Sequence, residues 1–187
     1  MIADHLRDFF LQTSIYPSPS EQWLWMRVHK TAGTSIYNAL EGRCLNTVKN
    51  KPFEARKWIK NITEQKLDAY QKWTFVRNPY DRLVSTAAMF YMTPQSFISK
   101  FDRLSNMAKR HALPQHLFTH IGGKCWLDFV GKFENLDGDW KQLFPDIPLL
   151  QSNATDHEHY LDVLGVKERN WIEEKYSKDL EYFEYEW

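Results

Sequence analysis

Few runs leave a chain as little conformational choice as Trp23-Leu-Trp-Met-Arg-Val28. Its bulky apolar residues show almost no polar alternation, which predicts a buried strand rather than a half-exposed one. The run passes directly into His29-Lys-Thr-Ala-Gly-Thr-Ser35, a loop of small residues. Ile36, Ala39 and Leu40 then fall at helical spacing. The order is strand, tight loop, helix. A strand of this kind needs cover on both faces, as in a parallel sheet between helices.

The same order recurs downstream. Trp73-Thr-Phe-Val76 predicts a second strand, with Asn78 as N-cap and Pro79 as first helical residue behind it. Leu83, Val84, Ala87, Ala88 and Tyr91 share one face of that helix. Asn61-Ile-Thr-Glu64 is a capping pattern for a helix carrying Leu67 and Tyr70. Thr93-Pro94 opens a helix with Phe97, Ile98, Phe101, Leu104, Met107 and Ala108 as its apolar positions. Gly122-Gly123 predicts a turn, and Trp126-Leu-Asp-Phe-Val130 a third strand. Leu136, Trp140, Leu143 and Phe144 mark a helix closed by Pro145, and Ile172, Tyr176, Leu180 and Phe183 mark a last one. Pro17-Ser-Pro-Ser20 reads as a break after an N-terminal amphipathic piece.

The alternation predicts an α/β protein of three layers, P-loop-like, with a parallel central sheet and helices on both faces. At 187 residues the expectation is one domain over 1–187, its core at about 23–187 and residues 1–20 an appendage.

Composition narrows the function classes. Apolar residues make up 43%, enough for a packed core and too many for a disordered chain. Lys plus Arg equals Asp plus Glu, 24 against 24, so no global charge favours nucleic acid, and anion recognition must be local. No run approaches 18 apolar residues, so no membrane span is expected. The N-terminus lacks the apolar region of a secretory signal, and two cysteines, Cys44 and Cys125, make no disulfide framework. The expectation is a cytoplasmic protein with reduced thiols.

Two segments carry chemistry. Around Lys30, consecutive backbone N–H groups of a tight loop before a helix form an anion cradle. Ala32 and Gly33 allow close approach of a ligand, Thr31, Thr34 and Ser35 offer hydroxyls, and Lys30 brings charge. In the Walker A motif the Lys follows the glycines; here it precedes Gly33. The alternative is a loop with an exposed Lys and capping hydroxyls. The second segment is Thr74-Phe-Val-Arg-Asn-Pro-Tyr-Asp-Arg-Leu-Val-Ser85. Arg77 stands where a parallel strand gives way to a helix, the edge at which open α/β sheets bind ligands. Its guanidinium can grip a phosphate bidentately. It can equally be a structural partner of Asp81, and Arg82 reads as a solvated or salt-bridged side chain.

Together these segments resemble the carbohydrate-type sulfotransferases that use the sulfate donor PAPS. The resemblance lies in His29-Lys-Thr-Ala-Gly-Thr-Ser35 and Arg77-Asn-Pro-Tyr-Asp-Arg-Leu-Val-Ser85. It extends through Leu113-Pro-Gln115, Asp128-Phe-Val-Gly-Lys-Phe-Glu-Asn-Leu136 and Tyr176-Ser-Lys-Asp-Leu-Glu-Tyr-Phe-Glu-Tyr185, about residues 23–187 in all. It implies PAPS as co-substrate, no required metal, and a glycan or small-molecule acceptor. By the same resemblance, Lys30, Thr31, Ala32, Gly33, Thr34 and Ser35 hold the 5′-phosphosulfate, and Arg77 and Ser85 the 3′-phosphate. Asn153 and Thr155 stand where family members contribute a donor-side loop.

The chain departs from the family at two places. His29 stands where the family has Pro. Many members carry a His between the two phosphate motifs, whereas residues 41–73 contain none. Pro52 and its neighbours occupy that place, and nearby Glu54 is a candidate base. His111 and His116, beside Leu113-Pro-Gln115, are the others, and Lys30 completes the catalytic set. Asp156-His-Glu-His159 invites a metal reading, but adjacent and i,i+2 ligands do not pre-shape a zinc site. A nucleotide or phosphoryl kinase, and a non-catalytic nucleotide-binding protein without a base, are the alternative functions.

Overall fold

The computed structural model describes residues 2–8, 13–45, 52–150, 152 and 156–187. Its strands are β1 (Ile15–Ser18), β2 (Trp23–Met26), β3 (Gln71–Val76), β4 (His120–Ile121), β5 (Lys124–Cys125) and β6 (Phe129–Lys132). The central sheet runs β1-β2-β3-β6. β2, β3 and β6 are parallel, and β1 pairs antiparallel with β2 at the edge. The chain is thus a mixed α/β protein with a mostly parallel sheet.

Side-chain alternation along the strands builds two cores. Trp23 and Trp25 of β2, with Trp73 and Phe75 of β3, face one side. There they meet Ile36, Tyr37 and Leu40 from the Gly33–Ala39 helix and Trp140 from the Leu136–Leu143 helix. The Trp25 and Trp73 rings stack, with centroids 5.7 Å apart. Leu24 and Met26 face the other side, against Leu6, Ile59, Ile62, Leu67, Phe118 and Trp126. Both faces of β2 are therefore buried, as its unbroken apolar run requires. A third cluster joins the Pro79–Met89 helix to the C-terminal helices through Leu83, Val84, Ala87, Ile172 and Tyr176. Gly131 fits β6 against β3, because a Cβ there would lie 2.5 Å from the Phe75 ring.

Several expected boundaries move. Pro17-Ser18, expected in a break, belongs to β1. Proline lacks an N–H and is tolerated on an edge strand, and its partner there is Leu24. The third strand starts at Phe129, not Trp126. Asp128 explains the offset: its carboxylate accepts from the Lys72 N–H at 2.7 Å and pairs with Lys72 Nζ at 2.8 Å. Trp126 instead turns into the core and donates its indole N–H to the Phe118 carbonyl. The helix expected from Thr93-Pro94 is broken into Pro94–Ser99, a 3-10 turn at Phe101–Arg103 and Asn106–His111, the last capped by Ser105. The final helix breaks at Tyr176, between Val166–Lys175 and Ser177–Phe183. Tyr91, expected on an apolar face, is fully exposed, because the chain leaves its helix at Phe90 and Tyr91 has φ 55°.

Candidate functional site

Because β2 and β3 are parallel neighbours, they end on the same edge of the sheet. The residues following them share a cleft of about 880 Å³. One wall is the loop after β2, Arg27, His29, Lys30 and Ala32, with the first turn of the helix behind it, Gly33, Thr34 and Ser35. Arg77 and Ser85 form another, and His111, Phe133 and Ser152 close the rim.

The loop is bent at two non-glycine residues in the left-handed region, Lys30 with φ 67° and Ala32 with φ 61°. Each costs of order 1 kcal/mol, and such strain gathers where a backbone is shaped around a ligand. Thr31 does not line the cleft; its hydroxyl donates to the Val28 carbonyl and locks the bend. The Ser35 hydroxyl is also engaged, accepting from the Ser152 N–H at 2.9 Å and fastening that residue over the cleft. A Cβ at Gly33 would meet Arg27 Nε at 2.6 Å, so a larger residue there would displace the Arg27 side chain. Burial, and then the Arg77 charge, push the Lys30 ammonium down to about 8.

Arg77 is buried and held on every side. Its Nε donates to Asp81 at 2.6 Å, Nη1 to the Lys30 carbonyl at 3.1 Å, and Nη2 lies 3.3 Å from His157 Nε2. The guanidinium carbon lies over the Phe133 ring, 4.0 Å from its centroid. The expected Asp81 partnership and the cleft-facing position therefore coexist. Gln115 clamps the Arg77 backbone, accepting from its N–H at 2.9 Å and donating to its carbonyl at 2.8 Å. Asp179, fully buried, holds Gln115 and His116 by their backbone N–H groups.

Family comparison covers this architecture in part. Residues 14–86 match the model described as Sulfotransferase family. Over this stretch, well under half of its length, the chain is similar to the sulfotransferase family. The match contains both the Lys30 loop and the Arg77–Ser85 segment. No curated protein and no solved structure matches the chain.

The cleft separates the three base candidates. His111 lines it. Its Nδ1 lies 2.9 Å from the Met107 carbonyl, so the proton sits there and Nε2 is the accepting nitrogen. His111 stacks on His29 with centroids 4.1 Å apart. Burial first, and then nearby cations including Lys30 and Arg27, lower the His111 pKa against the opposing bond to Met107. His29 is lowered well below its ordinary value, by burial and then by His111 and Arg27. His116 is spent elsewhere, its Nδ1 2.8 Å from Asp179 and outside the cleft lining. Glu54 is exposed, on the outer side of a helix that buries Ala55 and Ile59, and does not reach the cleft.

Other expectations shift as well. Arg82 is buried rather than solvated and donates to the His111 and Leu113 carbonyls at 3.1 and 2.6 Å, fixing the segment that carries His111. Asn153 and Thr155 lie outside the described residues. Among the described residues no three metal-ligating side chains converge, and no helix is long and apolar enough to cross a membrane. Arg27, Phe133, Gln115 and Asp179 are contributors that motif spacing did not single out as site residues. The conjunction of Leu113-Pro-Gln115 with the C-terminal block was the available signal for the last two.

Proposed function

We propose that this chain transfers a sulfuryl group from PAPS to a hydroxyl or amine of a carbohydrate or small metabolite, on a P-loop-like scaffold, releasing adenosine 3′,5′-bisphosphate. The observation that carries the reading is the meeting of two cationic poles, Lys30 and Arg77, in one cleft beside Ser85. A nucleotide with charged groups at both its 5′ and 3′ ends matches two such poles.

In this reading, backbone N–H groups of residues 31–35 and the Thr34 hydroxyl hold the 5′-phosphate. Arg77 and Ser85 hold the 3′-phosphate. Lys30 faces the bridging oxygen, where charge grows as the sulfur–oxygen bond breaks. His111 Nε2 takes the proton of the acceptor hydroxyl as its oxygen bonds to sulfur. The cleft contributes alignment and fixed charge.

Calorimetry tests the donor. Adenosine 3′,5′-bisphosphate should bind at least tenfold more tightly than AMP without added Mg²⁺, since one hydrogen bond to a charged group contributes about 1.5–3 kcal/mol. Arg77→Ala should erase most of that difference. Turnover of labelled PAPS with a panel of acceptors completes the test. Tighter binding of ATP with Mg²⁺ would favour a kinase, and nucleotide binding without turnover a non-catalytic protein.

The pH profile tests the roles. Lys30 must keep its proton and His111 must have lost its own. kcat/KM should rise with pH while His111 deprotonates below the usual imidazole range, and fall above about 8 as Lys30 deprotonates. Lys30→Arg should move the upper limb out of range, because a guanidinium stays charged. Of His111→Ala, His116→Ala and Glu54→Gln, only the first should abolish turnover with nucleotide affinity retained. A wild-type profile with no fall above about pH 8 would refute the Lys30 assignment, and one with no rise on the acid side, through and below the imidazole range, the His111 assignment.

A further inference from the structure

The Asp156-His-Glu-His159 stretch has no part in the reaction above, yet one of its imidazoles touches the cleft arginine. His157 Nδ1 lies 2.9 Å from the Glu158 carbonyl and must donate to it. A guanidinium has donors only, so His157 Nε2, 3.3 Å from Arg77 Nη2, must accept. Both contacts require the neutral ring with its proton on Nδ1.

The five N–H groups of Arg77 can be followed one by one. Nε and one Nη2 hydrogen go to Asp81, each at 2.6 Å. One Nη1 hydrogen goes to the Lys30 carbonyl. The second Nη2 hydrogen goes to His157, leaving one on Nη1. A bidentate grip through the Nη1–Nη2 edge needs one hydrogen from each nitrogen. His157 holds one of that pair. A phosphate arriving at Arg77 therefore meets this imidazole, which competes as an acceptor when neutral and can donate to a phosphate oxygen once protonated.

We propose that His157 is a proton-gated ligand of the 3′-phosphate, exchanging its acceptor contact with Arg77 for an Nε2–H···O bond to the phosphate as the nucleotide binds. The proposal rests on the donor reading above. The charged groups around His157 are Arg77 and Asp81 from the strand–helix junction, Lys30 through its loop, and Asp156 and Glu158 on its own segment. Among the described residues, the remaining lining of the adjoining cavity of about 400 Å³ adds no titratable group. Adding a phosphate to this set favours the imidazolium.

Titration calorimetry of the full chain with adenosine 3′,5′-bisphosphate, in two buffers of different ionisation enthalpy, measures protons taken up on binding. Wild type should take up more than His157→Gln, by a difference approaching one proton. The ratio of wild-type to variant affinity should rise as pH falls, by at most about tenfold per pH unit. AMP, lacking the 3′-phosphate, should show no difference between the two proteins. Equal proton uptake by wild type and variant overturns the proposal and leaves the donor reading standing. Failure of the wild type to bind the nucleotide overturns both.

Discussion

Lys30→Ala should lower kcat by about two to three orders of magnitude, the usual effect of removing one preorganised group that faces developing charge. The affinity for adenosine 3′,5′-bisphosphate should fall by much less. The difference follows from where Lys30 sits. The backbone of its loop, bent at Lys30 and Ala32, shapes the 5′ end of the cradle without help from the ammonium, and Arg77 with Ser85 addresses the other end. In the proposed reaction the ammonium would matter most when the bridging oxygen becomes a leaving group, so its loss should appear in kcat before it appears in ground-state binding. Arg77→Ala should show the reverse pattern, mainly weakened binding. Steady-state kinetics on both variants, with calorimetry on the same samples, checks the contrast. An identical pattern in the two would show the roles to be wrongly divided.

Asp179→Ala should be the most destabilising single change near the site. The carboxylate is fully buried and accepts from the Gln115 N–H at 2.7 Å, the His116 N–H at 2.8 Å and the His116 ring at 2.8 Å. Two backbone donors lose a charged acceptor, at about 1.5–3 kcal/mol each, so a loss of about 3–6 kcal/mol is expected. At roughly 2–4 °C per kcal/mol for a chain of this size, the melting temperature should fall by ~10 °C. Below the melting point the variant should also bind the nucleotide more weakly, because Gln115 loses the anchor from which it clamps the Arg77 backbone. A melting temperature within about 2 °C of wild type would refute the assignment of Asp179 as an anchor.

These two residues differ in how readily the sequence discloses them. Lys30 belongs to a local pattern. A buried strand, a bend and a helix all lie within Trp23–Leu40, and the interactions that shape them are short-range. The Arg77 segment is equally local: Asn78 accepts from the Tyr80 N–H at 2.9 Å, and Pro79 opens the helix. Parallel pairing of β2 and β3 then brings the segments to one edge, so alternation of strands and helices was enough to foresee a shared cleft. Asp179 lies 64 residues from Gln115, and nothing in the spacing of a C-terminal helix shows that its carboxylate turns inward.

Distance along the chain also explains the base candidates. His111 and His116 flank the same Leu113-Pro-Gln115 turn and look equivalent as residues. Packing separates them: Arg82 holds the His111 carbonyl at the cleft, while Asp179 draws the His116 ring away. Glu54 stood at a plausible position between the phosphate motifs, yet burial of Ala55 and Ile59 turns it to solvent. β1 was missed for a related reason, since Pro17 reads as a break until a neighbouring strand offers it an edge.

Hydrophobic periodicity and local capping chemistry were thus sufficient for the α/β class and for the two strand-to-helix junctions that carry Lys30 and Arg77. Both are properties of contiguous residues and survive without knowledge of partners. The choice among His111, His116 and Glu54, the burial of Arg82 and the contact of His157 with Arg77 depend on which surfaces meet. A side chain's exposure, hydrogen bonds and protonation are set by atoms tens of residues away, and these come together only when the chain has folded.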